Sequence, residues 1–246
     1  MTGLFFFHLP KAGGISLRTA LQGLFRPEEC SPVIENDTID DIRNGGNYHF
    51  ARGYRFYAGH LGANVFQAVS EGHRAVTNFR HPVSRVRSLY RYFRSVPIPE
   101  AELGDDRFFA VRFARTRSFE DFVLTDDARV RVYTENQHAR QLTRSPWRLD
   151  RNVDLAAAIT LVDRMPCFYV CEEPEQSLAW FGKVFGLTAI PRENVTSSFS
   201  PSERLPDMSQ AILAINRLDL LLHDYACARL RALNMVNDAR LELAAA

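Results

Sequence analysis

Lysine is almost missing from this chain. Of its 30 basic residues only Lys11 and Lys183 are lysines, which leaves 28 arginines. A lysine so rare is worth locating, because a compact ammonium on a flexible stem does work that a guanidinium does not. Long apolar runs are missing too: nothing approaches the ~18 residues that a membrane span needs. The opening MTGLFFFHLPKAGG has only Leu4 to Phe7 as an apolar run and no basic residue before it, so it does not read as a signal peptide. Cysteine is sparse. Cys30, Cys167, Cys171 and Cys227 form no CxxC pair, which offers too few ligands for a zinc site and predicts buried, reduced thiols. That usage fits a reducing, cytoplasmic setting. Excess charge is absent as well: 30 basic residues face 29 acidic ones, for a net charge of +1. This argues against a nucleic-acid partner held by bulk charge.

What is present is ordinary globular material. Hydrophobic residues make up 46% of the 246 and charged residues 24%, which excludes a disordered chain, a collagen and a coiled coil. Length alone allows one or two domains. No linker-like break or repeat is visible, so a single domain over residues 1–246 is expected, with a frayed tail at 240–246.

The pattern predicts strands alternating with helices. Leu4 to His8 reads as a strand buried on both faces, and Gly14 to Phe25 as a helix with Leu17, Leu21 and Leu24 inward. Arg55 to Gly59 and His73 to Phe79 read as further strands, with a helix at Ala63 to Ser70. Pro82 opens a strong helix to Ser95, with Val83, Val86, Tyr90 and Phe93 on one face. Helices are expected at 118–124, 130–142 and 153–164, then a strand from Phe168 to Cys171. Cys167 and Cys171 would share one face of it. A helix from Glu175 to Phe185 should end at Gly186, and a last helical stretch covers 207–233. Alternation of this kind implies an α/β fold, a parallel sheet flanked by helices. Residues 26–54 and 97–117 carry little periodicity and are expected to wall a substrate site.

Two segments carry chemistry. In FFFHLPKAGGISLRTAL a buried strand enters a glycine-rich turn and then a helix. That arrangement aims backbone N–H groups and the positive end of a helix dipole at one place. Gly13 and Gly14 permit close approach of the backbone, Lys11 adds a charge and Ser16 a hydroxyl. The set Lys11, Ala12, Gly13, Gly14, Ile15 and Ser16 is therefore a candidate phosphate cradle. It is not a Walker A loop, because there the lysine follows the last glycine. In AVTNFRHPVSRVRSLYRYFR a strand ends at Arg80 and Ser88 lies about two turns along the next helix. Both can reach one anion outside the carboxyl ends of the strands.

The order Pro10-Lys11-x-x-x-x-Ser16, and then Arg80-His81-Pro82-Val83-Ser84-Arg85-Val86-Arg87-Ser88-Leu89-Tyr90, resembles the two nucleotide-binding motifs of sulfotransferases. These enzymes use 3′-phosphoadenosine 5′-phosphosulfate (PAPS) and release 3′-phosphoadenosine 5′-phosphate (PAP). The likeness is to the carbohydrate group that includes the heparan sulfate 2-O-sulfotransferase-like proteins. His81 stands where that motif has Asp. Phe56 to Leu61 is similar to the family's Tyr-x-Gly-His segment, with Ala58 where the heparan sulfate enzymes carry a second His. Glu135 to Leu142 is similar to its Asn-x-Gln-x-Arg-x-Leu helix. Phe168 to Glu172 resembles its strand–Glu unit, Asn194 to Ser198 the loop over the nucleotide, and Asp224-Tyr225 the end of the last helix.

The resemblance implies a P-loop-like fold and transfer of a sulfuryl group to a hydroxyl of a carbohydrate or small metabolite. Such a reaction is mostly alignment and charge stabilisation, as in phosphoryl transfer. Lys11 is then the group at the leaving oxygen, and His60, at the family's catalytic position, is the base. Arg80 and Ser88 would hold the 3′-phosphate. Arg192, Ser197, Ser198 and Phe199 are candidates for the 3′-phosphate and adenine. His49, Arg52 and His138 are candidates for the acceptor. No metal is called for, because Lys11 and the loop already neutralise the leaving group. No membrane or nucleic-acid partner is implied, and oligomeric state is not readable. Eukaryotic members are membrane-anchored, so a chain without an anchor fits a bacterial cytoplasmic enzyme or an excised domain. Two other readings stay open: a kinase or other phosphotransferase, which would need a Walker-type lysine and a Mg²⁺-holding Asp, and a non-catalytic nucleotide-binding protein.

Overall fold

The computed structural model describes residues 3–32, 53–69, 72–191 and 204–245, with side chains to residue 233. Strand β1 (Leu4–Phe7) leads into helix α1 (Gly14–Gln22). Next come β2 (Phe56–Gly59), α2 (Ala63–Val69) and β3 (Arg74–Phe79). After β3 the chain turns helical: α3 (Pro82–Ser95), α4 (Phe109–Thr116), α5 (Phe119–Leu124), α6 (Ala128–Thr134), α7 (Gln137–Thr143) and α8 (Leu155–Arg164). The short strand β4 (Tyr169–Val170) is followed by α9 (Pro174–Phe185), α10 (Ser209–Ile215) and α11 (Arg217–Ala245).

The four strands form one parallel sheet in the order β2-β1-β3-β4. The α/β class with a parallel sheet flanked by helices is thus observed. β1 is buried on both faces because alternate side chains point to opposite sides. Phe5 and Phe7 join Tyr57 and Phe79 in a core beneath α2, α7, α8 and α11. Leu4 and Phe6 join Val76 and Ala58 in a core beneath α1 and α9, closed by Leu17, Leu21, Phe181 and Phe185. The chain leaves β1 toward β2 and leaves β3 toward β4. Neighbouring β1 and β3 are therefore the switch point, where open parallel sheets bind ligands.

The observed structure differs from the expected pattern in three segments. The helix expected over 130–142 is two helices, broken at Glu135 and Asn136. Asn136 takes φ 42°, and its side chain accepts from the N–H groups of Leu218 and Asp219 at 3.0 and 3.2 Å. Segment 97–117, expected as a wall, holds α4. Ala110, Val111 and Ala114 pack with Phe93 and Phe122 in a separate core under α3. Arg112 and Arg115 donate to the carbonyls of Leu103 and Val96, so these two cations serve the segment itself. The tail expected to fray is part of α11, which continues to Ala245. Gly186 does end α9, at φ 73°. Among the described residues no helix is long and apolar enough to cross a membrane.

Candidate active site

The site gathers at the carboxyl ends of β1, β2 and β3. Past Phe7 the chain turns through Leu9 to Gly13, and both Lys11 (φ 64°) and Gly13 (φ 72°) are left-handed. For Lys11 that conformation costs energy that glycine would not. Three hydrogen bonds from one buried side chain hold it. Asn78 Oδ1 accepts the Leu9 N–H at 2.8 Å, and its Nδ2 donates to the carbonyls of Leu9 and Ala12 at 3.1 and 2.7 Å. Arg80 adds a fourth, Nη1 donating to the Lys11 carbonyl at 2.9 Å. Gly14 is required by contact: a Cβ there would collide with the His8 ring. A Cβ on Gly13 would sit 3.2 Å from Cys171 Sγ. Burial pushes that thiol up to about 12, so Cys171 is a neutral wall behind the loop.

The helix that follows presents its N-terminus without a side-chain cap and without an acidic residue in the first turn. Ile15 and Ser16 stand half-buried there. The end of α1 is thus electropositive, with backbone donors at the turn and Lys11 and Arg80 beside it. Burial, and after it the charge of Arg80, hold the Lys11 ammonium below the usual lysine range. Lys11 Nζ lies 4.1 Å from the centroid of the Tyr92 ring on α3. Ser88 is on the same helix, half-buried, one turn before Tyr92.

His60 follows Gly59 directly at the end of β2. Its ring meets the His8 ring edge to face, centroids 4.8 Å apart, and the Trp147 ring at 5.9 Å. Trp147 Nε1–H donates to the His60 carbonyl at 2.9 Å, fixing the turn that carries the imidazole. Because β1 lies between β2 and β3, the His60–His8 pair and the Lys11–Arg80 pair flank the same strand end.

His138, expected at the acceptor, is corrected to an internal residue. It is 3% exposed, and its Nε2 is 3.0 Å from Thr77 Oγ1. The Thr77 hydroxyl donates to the Phe7 carbonyl at 2.9 Å, so in the pair it accepts and Nε2 carries the hydrogen. Burial, then the positive charge of Arg85, push the imidazole down to about 3 and keep it neutral. Asp219 accepts from the N–H groups of His138 and Ala139 at 3.2 and 2.8 Å, capping α7. Arg85, 1% exposed, donates through Nη1 to the Tyr133 carbonyl and to Gln137 Oε1. Gln141 Nε2 ties α7 to the carbonyls of His8 and Leu61.

Sequence reasoning missed Asn78, the residue that shapes the loop. Its signal was an amide near the end of a strand that leads into Arg80, and it is 0% exposed in the fold. Glu172, the acidic residue of the strand–Glu unit, pairs with His223, a histidine that reads from the sequence as structural. Glu172 Oε1 accepts the His81 N–H at 3.0 Å, and Oε2 lies 3.2 Å from His223 Nε2. A carboxylate from β4's end thus meets the backbone at the position where the motif resembled above has Asp. Burial opposes a charge on His223, but its bonds to Cys227 and Glu172 outweigh this and raise it to about 10. Arg192, Ser197, Ser198, Phe199, His49 and Arg52 lie outside the described residues. Among those described, no group of three or more His, Cys, Asp or Glu could hold a metal ion. Compared with family models and with curated proteins, the chain finds no match in either.

Proposed function

We propose that this chain is a PAPS-dependent sulfotransferase with a P-loop-like sheet, acting on a hydroxyl of a carbohydrate or small metabolite. One observation carries the reading: the two motif segments close on each other at the switch point, with Arg80 Nη1 2.9 Å from the Lys11 carbonyl. The donor set fits a polyanionic nucleotide. It holds Lys11, Arg80 and the N-terminus of α1, which has no side-chain cap and no acidic residue in its first turn. Lys11, Gly13, Gly14, Ile15 and Ser16 would hold the 5′-phosphosulfate, and Arg80 and Ser88 the 3′-phosphate.

When bound, PAPS supplies an activated sulfuryl group on a phosphate leaving group. The chain's own residues then have two tasks. Lys11 neutralises charge gathering on the leaving oxygen, in a half-buried place where such charge stabilisation is strong. His60 takes the proton of the acceptor hydroxyl, and the Trp147 bond to its carbonyl keeps its ring in place. His8, packed edge-on, limits where that ring can turn.

Incubation with PAPS and a panel of neutral and acidic sugars, with PAP release followed chromatographically, tests the reading. The expected result is PAP formed in step with a sulfated acceptor, and at least about 10²-fold more slowly by His60→Asn or Lys11→Met. Equal PAP release from all three proteins would contradict it.

A further inference from the structure

We infer that Tyr92 is the positioning residue for Lys11: its ring face holds the ammonium at the mouth of the phosphate loop. The inference rests on the sulfotransferase reading for its catalytic meaning, but the contact itself does not.

The loop backbone is fixed, and the lysine side chain is not. Asn78 and Arg80 make four hydrogen bonds to Leu9, Lys11 and Ala12, so the Cα of Lys11 has a defined place. From there four methylenes lead to the ammonium, with rotamer freedom worth up to ~2 kcal/mol. A group that must meet one oxygen works best when that freedom is already restricted. The Tyr92 ring, with its centroid 4.1 Å from Nζ, supplies the restriction. A ring face attracts a cation without accepting a proton from it or forming a tight ion pair. It covers one side of the ammonium and leaves N–H donors for an anion. A carboxylate in the same place would compete with that anion for the charge.

Tyr92 is itself held. Its ring packs against the core under α3. It sits one turn beyond Ser88, so α3 carries the ring and the hydroxyl on neighbouring turns. The Arg80 charge repels the Lys11 ammonium, while the ring face attracts it. That geometry also gives a reason for lysine in a chain otherwise built with arginine. A planar guanidinium would stack flat on the ring and spread its charge over a rigid fork, where the ammonium is a compact point charge.

The lysine count makes a direct test possible. Protein labelled with carbon-13 only at lysine shows two CεH₂ signals, from Lys11 and from exposed Lys183, assigned by Lys183→Arg. The ring current of Tyr92 should move the Lys11 signal upfield. Tyr92→Leu should abolish the displacement, and Tyr92→Phe, which keeps the face, should retain it. In turnover, Tyr92→Leu should lower kcat by about 2- to 30-fold, equivalent to about 0.5–2 kcal/mol, with the acceptor KM unchanged. Tyr92→Phe should restore it. If Tyr92→Leu melts early, Tyr92→Met takes its place. Coincident lysine signals in the parent protein overturn the inference, as does a Tyr92→Leu enzyme that turns over like the parent. A Phe variant that falls as far as Leu also overturns it. If the parent protein shows the upfield signal yet neither binds PAP nor releases it from PAPS, the sulfotransferase reading fails. Loss of the upfield signal in a PAP-binding protein overturns Tyr92 alone.

Discussion

Two groups of polar side chains meet the ends of the same three strands, and they are satisfied in opposite ways. On one side stand Lys11, Arg80 and the N-terminus of α1, with Arg80 Nη1 on the Lys11 carbonyl, the Lys11 ammonium over the Tyr92 ring and no carboxylate in α1's first turn. On the other stand His138, Arg85, Gln137 and Asp219, all under a tenth exposed and engaged with one another and with backbone. In the proposed function the first group keeps its charge for a ligand. The second answers much of its polarity internally under α7, although Arg85 Nε and Nη2 and Gln137 Nε2 are buried without a hydrogen-bond partner. A buried charge without a partner costs several kcal/mol, so the Asp219 carboxylate that faces Arg85 and Arg140 matters most to the second arrangement. Polar residues of equal type thus read as site or as scaffold according to who answers them, and the sequence does not print that.

The contrast can be broken most strongly at Asp219. Removing its carboxylate in Asp219→Ala takes away the cap on α7 and the negative charge that faces Arg85 and Arg140. A loss of about 3–5 kcal/mol in urea unfolding is expected, as for a buried charge left without its partner. Lys11→Met should do the reverse. Its unfolding free energy should stay within about 0.5 kcal/mol of the parent's. Its turnover with PAPS should fall about 10²–10³-fold, the loss typical of one stabiliser of developing charge. A Lys11 variant that unfolds easily, or an Asp219 variant that does not, would erase the distinction.

Acidity sharpens the comparison further. His138 sits near 3 in the fold and near its ordinary 6.5 unfolded, so the unfolded chain takes up the proton first. Its contribution to stability is present above 6.5 and is lost as pH falls toward 3. His223 has the opposite sign: raised to about 10, it contributes fully below 6.5 and that contribution fades as pH rises toward 10. Each proton corresponds to at most about 1.4 kcal/mol per pH unit. Unfolding measured across pH should show the acid limb flattened in His138→Leu and the alkaline limb flattened in His223→Gln. The smallest effect belongs to the surface. Arg87, two residues from buried Arg85, reaches Asp207 at 3.3 Å, and Asp207 is 80% exposed. Arg87→Ala should change unfolding by no more than about 1 kcal/mol.

The open group was legible before the fold because its members are close in sequence. Lys11, Gly13, Gly14 and Ser16 fall within one turn and helix start, and Arg80 and Ser88 within one strand–helix junction. The strand and helix periodicities that carry them were legible for the same reason. The sealed group was not, because its bonds join distant positions: Arg85 to Gln137, Thr77 to His138, Asp219 to Ala139. His138 looked like a ligand contact from its place on a helix, and only the Thr77 hydroxyl reveals its use. The break at Asn136 was hidden for a related reason. Apolar spacing continues through 130–142, while the exchange of bonds between Asn136 and the start of α11 reaches across more than eighty residues.

The measurement that bears most directly on the open group is a calorimetric titration of the protein with PAP, run beside ADP and ATP·Mg²⁺. Preference for PAP, lost in Arg80→Ala, is the predicted result and would tie the Lys11–Arg80 junction to a nucleotide carrying a 3′-phosphate. Preference for ATP·Mg²⁺, or no binding of any of the three, would contradict it.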